Sequence, residues 1–326
     1  MSLKLDEKRL ENPEPGTLNP AENTKFMNIC FASGESYVQH LCAALKSIFL
    51  NKNPEEEFNI TILSKDISEK NKKYISSLAG IGSKVNFIDV DEENLKDSCV
   101  ITSDVRHINS LATYYRFLLT DFVKEDKVLY LDCDLIVKKP LWDLYNTNIE
   151  DCYAAGVTDS FEKENCERLG LNIYINAGVL LVNLALWRKD NIKDKLINWS
   201  ISNKDKIVWA DQDVINAVLQ DKIKYLDKTC NAQVSECGFG TTGEFNKIAE
   251  DALIVHYVGE RKPWQNNRFN LSSYYYRYLL KTKFAYKFYL LLLSEIFSIK
   301  NEITGGRKYI TVRILGLQIK IRKEKK

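Results

Sequence analysis

Apolar runs of strand length recur along this chain of 326 residues, at 27–32, 58–63, 85–90, 128–131, 153–157, 179–184 and 253–257. Between several of them the apolar positions change from a period of two to the i, i+3, i+4, i+7 spacing of an amphipathic helix. Residues 37–51 carry the clearest stripe, built from Val38, Leu41, Cys42, Leu45, Ile48 and Phe49, and it stops just before Pro54. Residues 68–78, 111–122 and the shorter 211–219 follow the same rule. Strands joined through helices need crossover connections, so the expected fold class is α/β, with a mainly parallel sheet covered by helices. With 45% apolar and 28% charged residues, the chain has the make-up of a globular protein that buries a core.

The two ends differ from the middle. Residues 1–25 contain Pro13, Pro15 and Pro20 and no continuous apolar stretch of the kind an export signal needs, so they read as a polar lead-in. After Trp264 come Tyr274, Tyr275, Tyr276 and Tyr278, a helix-like stretch to about residue 299, and Gly305-Gly306. Leu317, Ile319 and Ile321 then alternate with Gln318, Lys320 and Arg322, the pattern of a strand with one wet face. The apolar run at 288–293 is far shorter than the roughly 20 residues needed to cross a bilayer, and no membrane span is expected. Residues 300–326 hold nine basic and two acidic side chains, a net +7, so the rest of the chain carries −5 of the overall +2. A basic tail on a mildly acidic body suits peripheral contact with an anionic membrane; a nucleic-acid surface is the less economical reading. Eight cysteines without a C-x-x-C pair argue against a zinc ribbon or a disulfide framework and fit buried thiols in a reducing cytoplasm.

The run Lys127-Val128-Leu129-Tyr130-Leu131 ends in Asp132-Cys133-Asp134. In open α/β sheets the C-terminal end of a strand is where ligands sit, and residues i and i+2 of an extended segment face the same side. Two carboxylates there can share one hard divalent cation, although an Asp-x-Asp by itself also suits a solvated turn. One of only three histidines, His256, closes the apolar run 253–255 and opens His256-Tyr257-Val258-Gly259-Glu260-Arg261-Lys262-Pro263-Trp264. An imidazole, a Gly loop and a Lys suit a third ligand, a close backbone approach and a cation for phosphate. Mixed oxygen and imidazole ligation leans toward Mn²⁺, with Mg²⁺ as the alternative.

Four segments in order over roughly residues 27–264 resemble glycosyltransferase family 8, and within it the bacterial lipopolysaccharide glucosyl- and galactosyltransferases. They are Asn28-Ile29-Cys30-Phe31-Ala32, the Leu-Asp-Cys-Asp strand end, Tyr174-Ile175-Asn176-Ala177-Gly178-Val179 with Asp211-Gln212-Asp213, and His256-Tyr257 through Lys262-Pro263-Trp264. The resemblance implies a GT-A, Rossmann-like catalytic domain over 26–265, between the lead-in 1–25 and a basic, membrane- or acceptor-associated segment 266–326. It implies retaining transfer of glucose or galactose from a UDP-sugar to a saccharide acceptor, the lipopolysaccharide or lipooligosaccharide core, and the basic tail would place the enzyme on the inner face of the cytoplasmic membrane beside a lipid-linked acceptor. Asp132, Asp134 and His256 would hold Mn²⁺ with the diphosphate, and Lys262 and the Gly259 backbone would hold the phosphates. Ala32 and Tyr37 would flank the nucleotide, and Arg116 would approach the donor sugar or phosphate. Asn176, Ala177 and Asp159 would line the sugar pocket, with Asp211 and Gln212 opposite the leaving group. Many family members place an Asp or Asn against the uridine just after the first strand; here Ser33-Gly34-Glu35-Ser36 leaves Glu35 or Ser36 for that contact.

A second reading takes 128–137 as the nucleophile strand of a haloacid-dehalogenase-like phosphohydrolase, with Asp132 as nucleophile. That fold opens on its nucleophile strand and needs a later Gly-Asp pair, whereas over 120 residues precede Asp132 and no Gly-Asp occurs.

Overall fold

The computed structural model describes residues 24–96, 111–234, 243–259, 262–265, 271–304, 307–314 and 317–322. Its first ten strands are β1 (Lys25–Ala32), β2 (Glu56–Ser64), β3 (Lys84–Asp89), β4 (Lys127–Leu131), β5 (Leu135–Val137), β6 (Ala154–Gly156), β7 (Val179–Asn183), β8 (Ile223–Tyr225), β9 (Ala232–Val234) and β10 (Ile254–Tyr257). Each apolar run expected as a strand forms one. Seven strands make the main sheet in the order β3-β2-β1-β4-β7-β6-β8, and β5-β10-β9 make a small second sheet. From β3 to β4 all pairs are parallel, whereas β7 runs antiparallel to β4 and to β6. The chain builds outward from β1 to β3 and then returns to lay β4 on the other side of β1. The C-terminal ends of β1 and β4 therefore flank the switch point at which open α/β sheets bind ligands.

Period-two burial supplies both faces of this sheet. Met27, Ile29 and Phe31 of β1 and Leu129 and Leu131 of β4 pack with Leu41 and Leu45 of helix α1 (Val38–Asn51). Cys30, Val128 and Tyr130 point the other way, into a core with Tyr114, Phe117, Trp187 and Val214. Helix α1 buries more than one stripe. Ala43 packs with Ile136, Tyr275 and Tyr278, because the helix Ser272–Leu279 covers the flank that solvent would otherwise wet. His40 is buried there, bonded through Nδ1 to Tyr275 Oη at 2.7 Å and stacked on Trp264 with ring centroids 3.5 Å apart.

Two segments depart from their expected form. The first part of 111–122 is a 3-10 helix, Leu111–Leu118, followed by one α-turn, Leu119–Phe122. With three residues per turn, residues i and i+3 eclipse, so Thr113 and Arg116 project on one side. The C-terminal helix Ala285–Ile296 stops short of residue 299 because Phe297 and Ser298 already pair with Ile314 and Arg313. There β11 (Phe297–Thr304), β12 (Arg307–Ile314) and β13 (Leu317–Arg322) form an antiparallel sheet, with Leu317, Ile319 and Ile321 exposed. Among the described residues no helix is long and apolar enough to cross a membrane.

Candidate active site

The segment from Leu131 to Leu135 is where the chain leaves the main sheet for the small one. Asp132 N–H donates to Gly178 O at 2.8 Å, one step beyond the β4–β7 ladder, and Asp134 O accepts Tyr257 N–H at 2.9 Å beside β10. Asp132 is thus held by one sheet and Asp134 by the other. Cys133 between them is buried, its Sγ 3.3 Å from Ala32 O, which fixes the end of β1 against the motif. His256 lies on β10 opposite Leu135, so pairing of the small sheet carries the imidazole across to the carboxylates. Its Nε2 is 3.2 Å from Asp134 Oδ1 and 3.8 Å from Asp132 Oδ2, and one ligand atom from each of the three residues lies within 4.8 Å of the others.

These residues fit a divalent cation. The donors are two carboxylates and an imidazole, the set that suits Mn²⁺ or Mg²⁺, and the space around them is kept open by a missing side chain. A Cβ on Gly178 would meet His256 Cε1 at 2.2 Å and Asp132 Oδ2 at 2.6 Å. Gly178→Ala is therefore expected to lower Mn²⁺ affinity and turnover by about 10- to 100-fold, the scale on which groups supporting metal ligands act. Isothermal titration with Mn²⁺ checks this, and unchanged affinity would show that the glycine does not shape the site.

Lys262 Nζ lies 2.6 Å from Asp134 Oδ2 and also donates to Tyr257 O. Burial opposes ionisation of Asp134, but the Lys262 cation, joined by His256 whenever its ring carries both protons, outweighs it and holds the carboxyl well below the usual range. Gly259, two residues past β10, has φ +80°, the left-handed conformation that favours glycine. Tyr37 is 41% exposed, with its ring edge-on to Trp264 at 6.2 Å, so it is not a core aromatic. Burial of its hydroxyl end, then the nearby Asp134, Cys133 and Asp132, raise its pKa.

Arg116 is not a solvated helix charge. It is buried, with Nη2 2.9 Å from Asp132 Oδ1, Nε 2.9 Å from Asp211 Oδ2, and Nη1 donating to Ala177 O. Its guanidinium carbon also lies 4.4 Å from the centre of the Tyr130 ring. Thr113, one 3-10 turn earlier, donates to Asp211 Oδ1. Burial pushes the Asp211 carboxyl up to about 6, against the lowering by Arg116 and Thr113. Arg116 Nε–H is aimed at Thr113 O, 3.0 Å away, so Asp211 Oδ2 is paired by charge while accepting no hydrogen bond among the described residues.

Gln212, Asn176, Ala177 and Asp159 form one hydrogen-bonded group. Gln212 Oε1 accepts from Ala177 N–H at 3.0 Å and Asn176 Nδ2 at 3.2 Å, and Asp159 Oδ2 accepts from Asn176 Nδ2 and Gln212 Nε2, both at 3.2 Å. Asp213 presents this group. Fully buried, it accepts from Val208 N–H, Trp209 N–H, Tyr174 Oη and Arg168 Nη2. Those bonds pin the loop before the helix Ala210–Leu219, where Ala210 has φ +47°, a strained setting for a residue with a side chain.

The loop after β1 commits one of the two candidates for the uridine contact, Glu35, to other partners. The Glu35 carboxylate is taken up by Ser68 N–H at 3.0 Å, Ser68 Oγ at 3.2 Å and Asn71 Nδ2 at 2.6 Å. It ties this loop to the start of helix α2 (Glu69–Ser76). Asp66, from the end of β2, stands over the glycine instead, its Oδ1 3.1 Å from where a Cβ of Gly34 would lie and accepting Glu35 N–H at 2.9 Å.

Residues 28–268 match the model of glycosyl transferase family 8. The chain belongs to this family. The lipopolysaccharide 1,3-galactosyltransferase of Salmonella typhimurium is 27% identical over 262 residues, covering 76% of each chain. General stress protein A of Bacillus subtilis is 28% identical over 276 residues, covering 79% of this chain and 95% of that protein. Among solved structures, the galactosyltransferase LgtC with donor and acceptor sugar analogues superposes with a TM-score of 0.68 at 28% identity, over 79% of this chain and 96% of that one. The fold of this family 8 protein is accordingly GT-A, its activity is glycosyl transfer, and the phosphohydrolase alternative falls. Sequence reasoning passed over Gly178, Thr113 and Asn231, which contacts His256 at 3.1 Å. Only Gly178 had a signal, its place in the Asn-Ala-Gly segment.

Proposed function

We propose that this protein is a retaining hexosyltransferase that moves glucose or galactose from a UDP-sugar to a saccharide acceptor of the lipopolysaccharide or lipooligosaccharide core. The observation that carries the reading is the convergence of Asp132, Asp134 and His256 beside Lys262, next to the Gln212–Asn176–Asp159 group. Asp132, Asp134 and His256 would hold a divalent cation, Mn²⁺ before Mg²⁺, which would supply Lewis-acid stabilisation to the departing diphosphate. Lys262, drawn from Asp134 toward phosphate, adds positive charge, and the Gly259 backbone lets the diphosphate approach closely. Tyr37 offers a face for the nucleotide beside Ala32, and the Asp66 carboxylate accepts the imide N–H of uracil. Asp66→Ala is expected to weaken discrimination between UDP- and other nucleoside-diphosphate hexoses; competition assays with GDP- and CDP-glucose check it.

Asn176, Ala177 and Asp159 line the sugar pocket in this reading, and Asp211 and Gln212 lie on the face of the anomeric carbon opposite the leaving group. Gln212 is an amide, and the Asp159 and Asp211 carboxylates are engaged by neighbours. That favours same-face attack by the acceptor, with the carbonyl oxygen and carboxylates stabilising positive charge at the anomeric carbon, over a covalent intermediate. Proton NMR of the product from an α-configured donor tests retention, which both routes share: an α-linkage agrees, and a β-linkage contradicts it.

The C-terminal segment is read as a peripheral membrane contact at the inner leaflet. Tyr286, Tyr289, Leu290, Leu293 and Ile296 lie exposed at helical spacing, close to the basic tail. Co-sedimentation with phosphatidylglycerol vesicles is expected to fall at least several-fold in a Tyr289→Glu, Leu293→Glu double variant and to weaken with salt. Binding insensitive to both changes would remove the membrane reading.

A further inference from the structure

We infer that Asn231 is a positioning residue that fixes the tautomer of His256, so that Nε2 is the nitrogen offered to a cation. Asn231 ends the 3-10 turn Lys228–Asn231 just before β9 and is 1% exposed. Its side chain lies between His256 and Asn176. Asn231 Nδ2 is 3.0 Å from Asn176 Oδ1, and Asn231 Oδ1 is 3.1 Å from His256 Nδ1.

Amide orientations and imidazole protons are assigned from hydrogen-bond networks, and this network has two fixed ends. Gly178 N–H points at one terminal atom of Asn176, 3.1 Å away. A backbone N–H can only donate, so that atom is the carbonyl oxygen. Independently, Ala177 N–H donates to Gln212 at 3.0 Å, which makes that atom Oε1 and requires Asn176 to present its NH₂ there, at 3.2 Å. Both ends agree on Asn176. The Asn231 atom facing Asn176 Oδ1 must then be the donor Nδ2, and the one facing His256 must be the acceptor Oδ1. Opposite an acceptor, the neutral imidazole carries its proton on Nδ1.

Nε2 is left bare, 3.2 Å from Asp134 Oδ1 and 3.8 Å from Asp132 Oδ2. Three acceptors facing one another repel until a cation enters, so the chain of amides prepares an arrangement that a metal relieves. It also couples the two halves of the site. The N–H groups of Ala177 and Gly178, in the proposed sugar pocket, dictate through Asn176 and Asn231 which nitrogen of His256 faces the proposed cation. The inference rests on the metal reading for its purpose, but the tautomer itself does not.

The test is long-range ¹H–¹⁵N correlation NMR of ¹⁵N-histidine-labelled, metal-free full chain at a pH where the imidazole is neutral; three histidines keep the spectrum tractable. The wild type is expected to show His256 protonated on Nδ1. Asn231→Ala should give a tautomer mixture and Mn²⁺ binding about 10- to 100-fold weaker, the usual loss for a partner of a metal ligand. Asn231→Asp, which keeps the acceptor, should retain the Nδ1–H form. A wild-type Nε2–H tautomer, or an Asn231→Ala spectrum and Mn²⁺ affinity identical to wild type, would overturn the inference. A wild-type Nδ1–H form in a protein that binds no Mn²⁺ would uphold the tautomer and overturn the metal reading alone.

Discussion

Asp134→Ala is expected to slow UDP release from a UDP-hexose by about 10³-fold, equivalent to about 4 kcal/mol of transition-state stabilisation. The side chain serves two partners at once, with Oδ1 3.2 Å from His256 Nε2 and Oδ2 2.6 Å from Lys262 Nζ. Its loss removes one proposed cation ligand and frees Lys262 from the geometry that aims it at phosphate. The loss should appear in kcat/KM and in the Mn²⁺ titration. A variant with wild-type turnover and an unchanged Mn²⁺ response would contradict the ligand assignment.

Arg116→Met is expected to damage stability as well as turnover. The guanidinium is 5% exposed and lies 2.9 Å from both Asp132 Oδ1 and Asp211 Oδ2. Removing one member of a buried ionic group leaves uncompensated charge at a cost of about 3–5 kcal/mol, or a fall in melting temperature of roughly 4–7 °C for a chain of this length. The effect depends on pH. The folded-state value of Asp211, about 6, lies above its ordinary 3.8, so folding takes up protons between these values and the cost of the charged form grows as pH rises through that window. Without Arg116 the cost is larger and the window extends upward. The melting temperature should therefore drop more at pH 8 than at pH 5. An equal drop at both pH values would show that Arg116 acts by packing alone.

Much of this fold was legible because burial on both faces leaves apolar runs of strand length at β1, β2 and β4, and burial of a helix face leaves a period near 3.6 in α1. Strand direction leaves no such mark. The run at 179–184 reads the same whether β7 is parallel or antiparallel to β4, and it is antiparallel. The 3-10 form of Leu111–Leu118 was equally hidden, since its reason lies about 100 residues away in Asp211, which both Thr113 and Arg116 contact. Small residues at Cys42, Ala43 and Ala44 did carry a hint of the second buried face of α1. At the site, Asp132, Asp134, His256 and Lys262 could be read as a group because the Asp-x-Asp strand end, ambiguous by itself, is joined later in the chain by one of only three histidines followed by a Gly and a Lys. Asn231 could not: a lone Asn after a Cys looks like turn chemistry, and only pairing of β9 with β10 brings it to the imidazole.

The central claim is that Asp132, Asp134 and His256 make this chain a cation-dependent transferase of a hexose from UDP. The most direct measurement is free-UDP release from UDP-glucose and UDP-galactose by the chelator-treated full chain, titrated with Mn²⁺ and then with Mg²⁺. The account predicts negligible release without metal and saturable restoration by Mn²⁺, with Mg²⁺ weaker, for at least one of the two donors. Release that proceeds undiminished in chelator, or that is absent for both donors at saturating Mn²⁺, would contradict it.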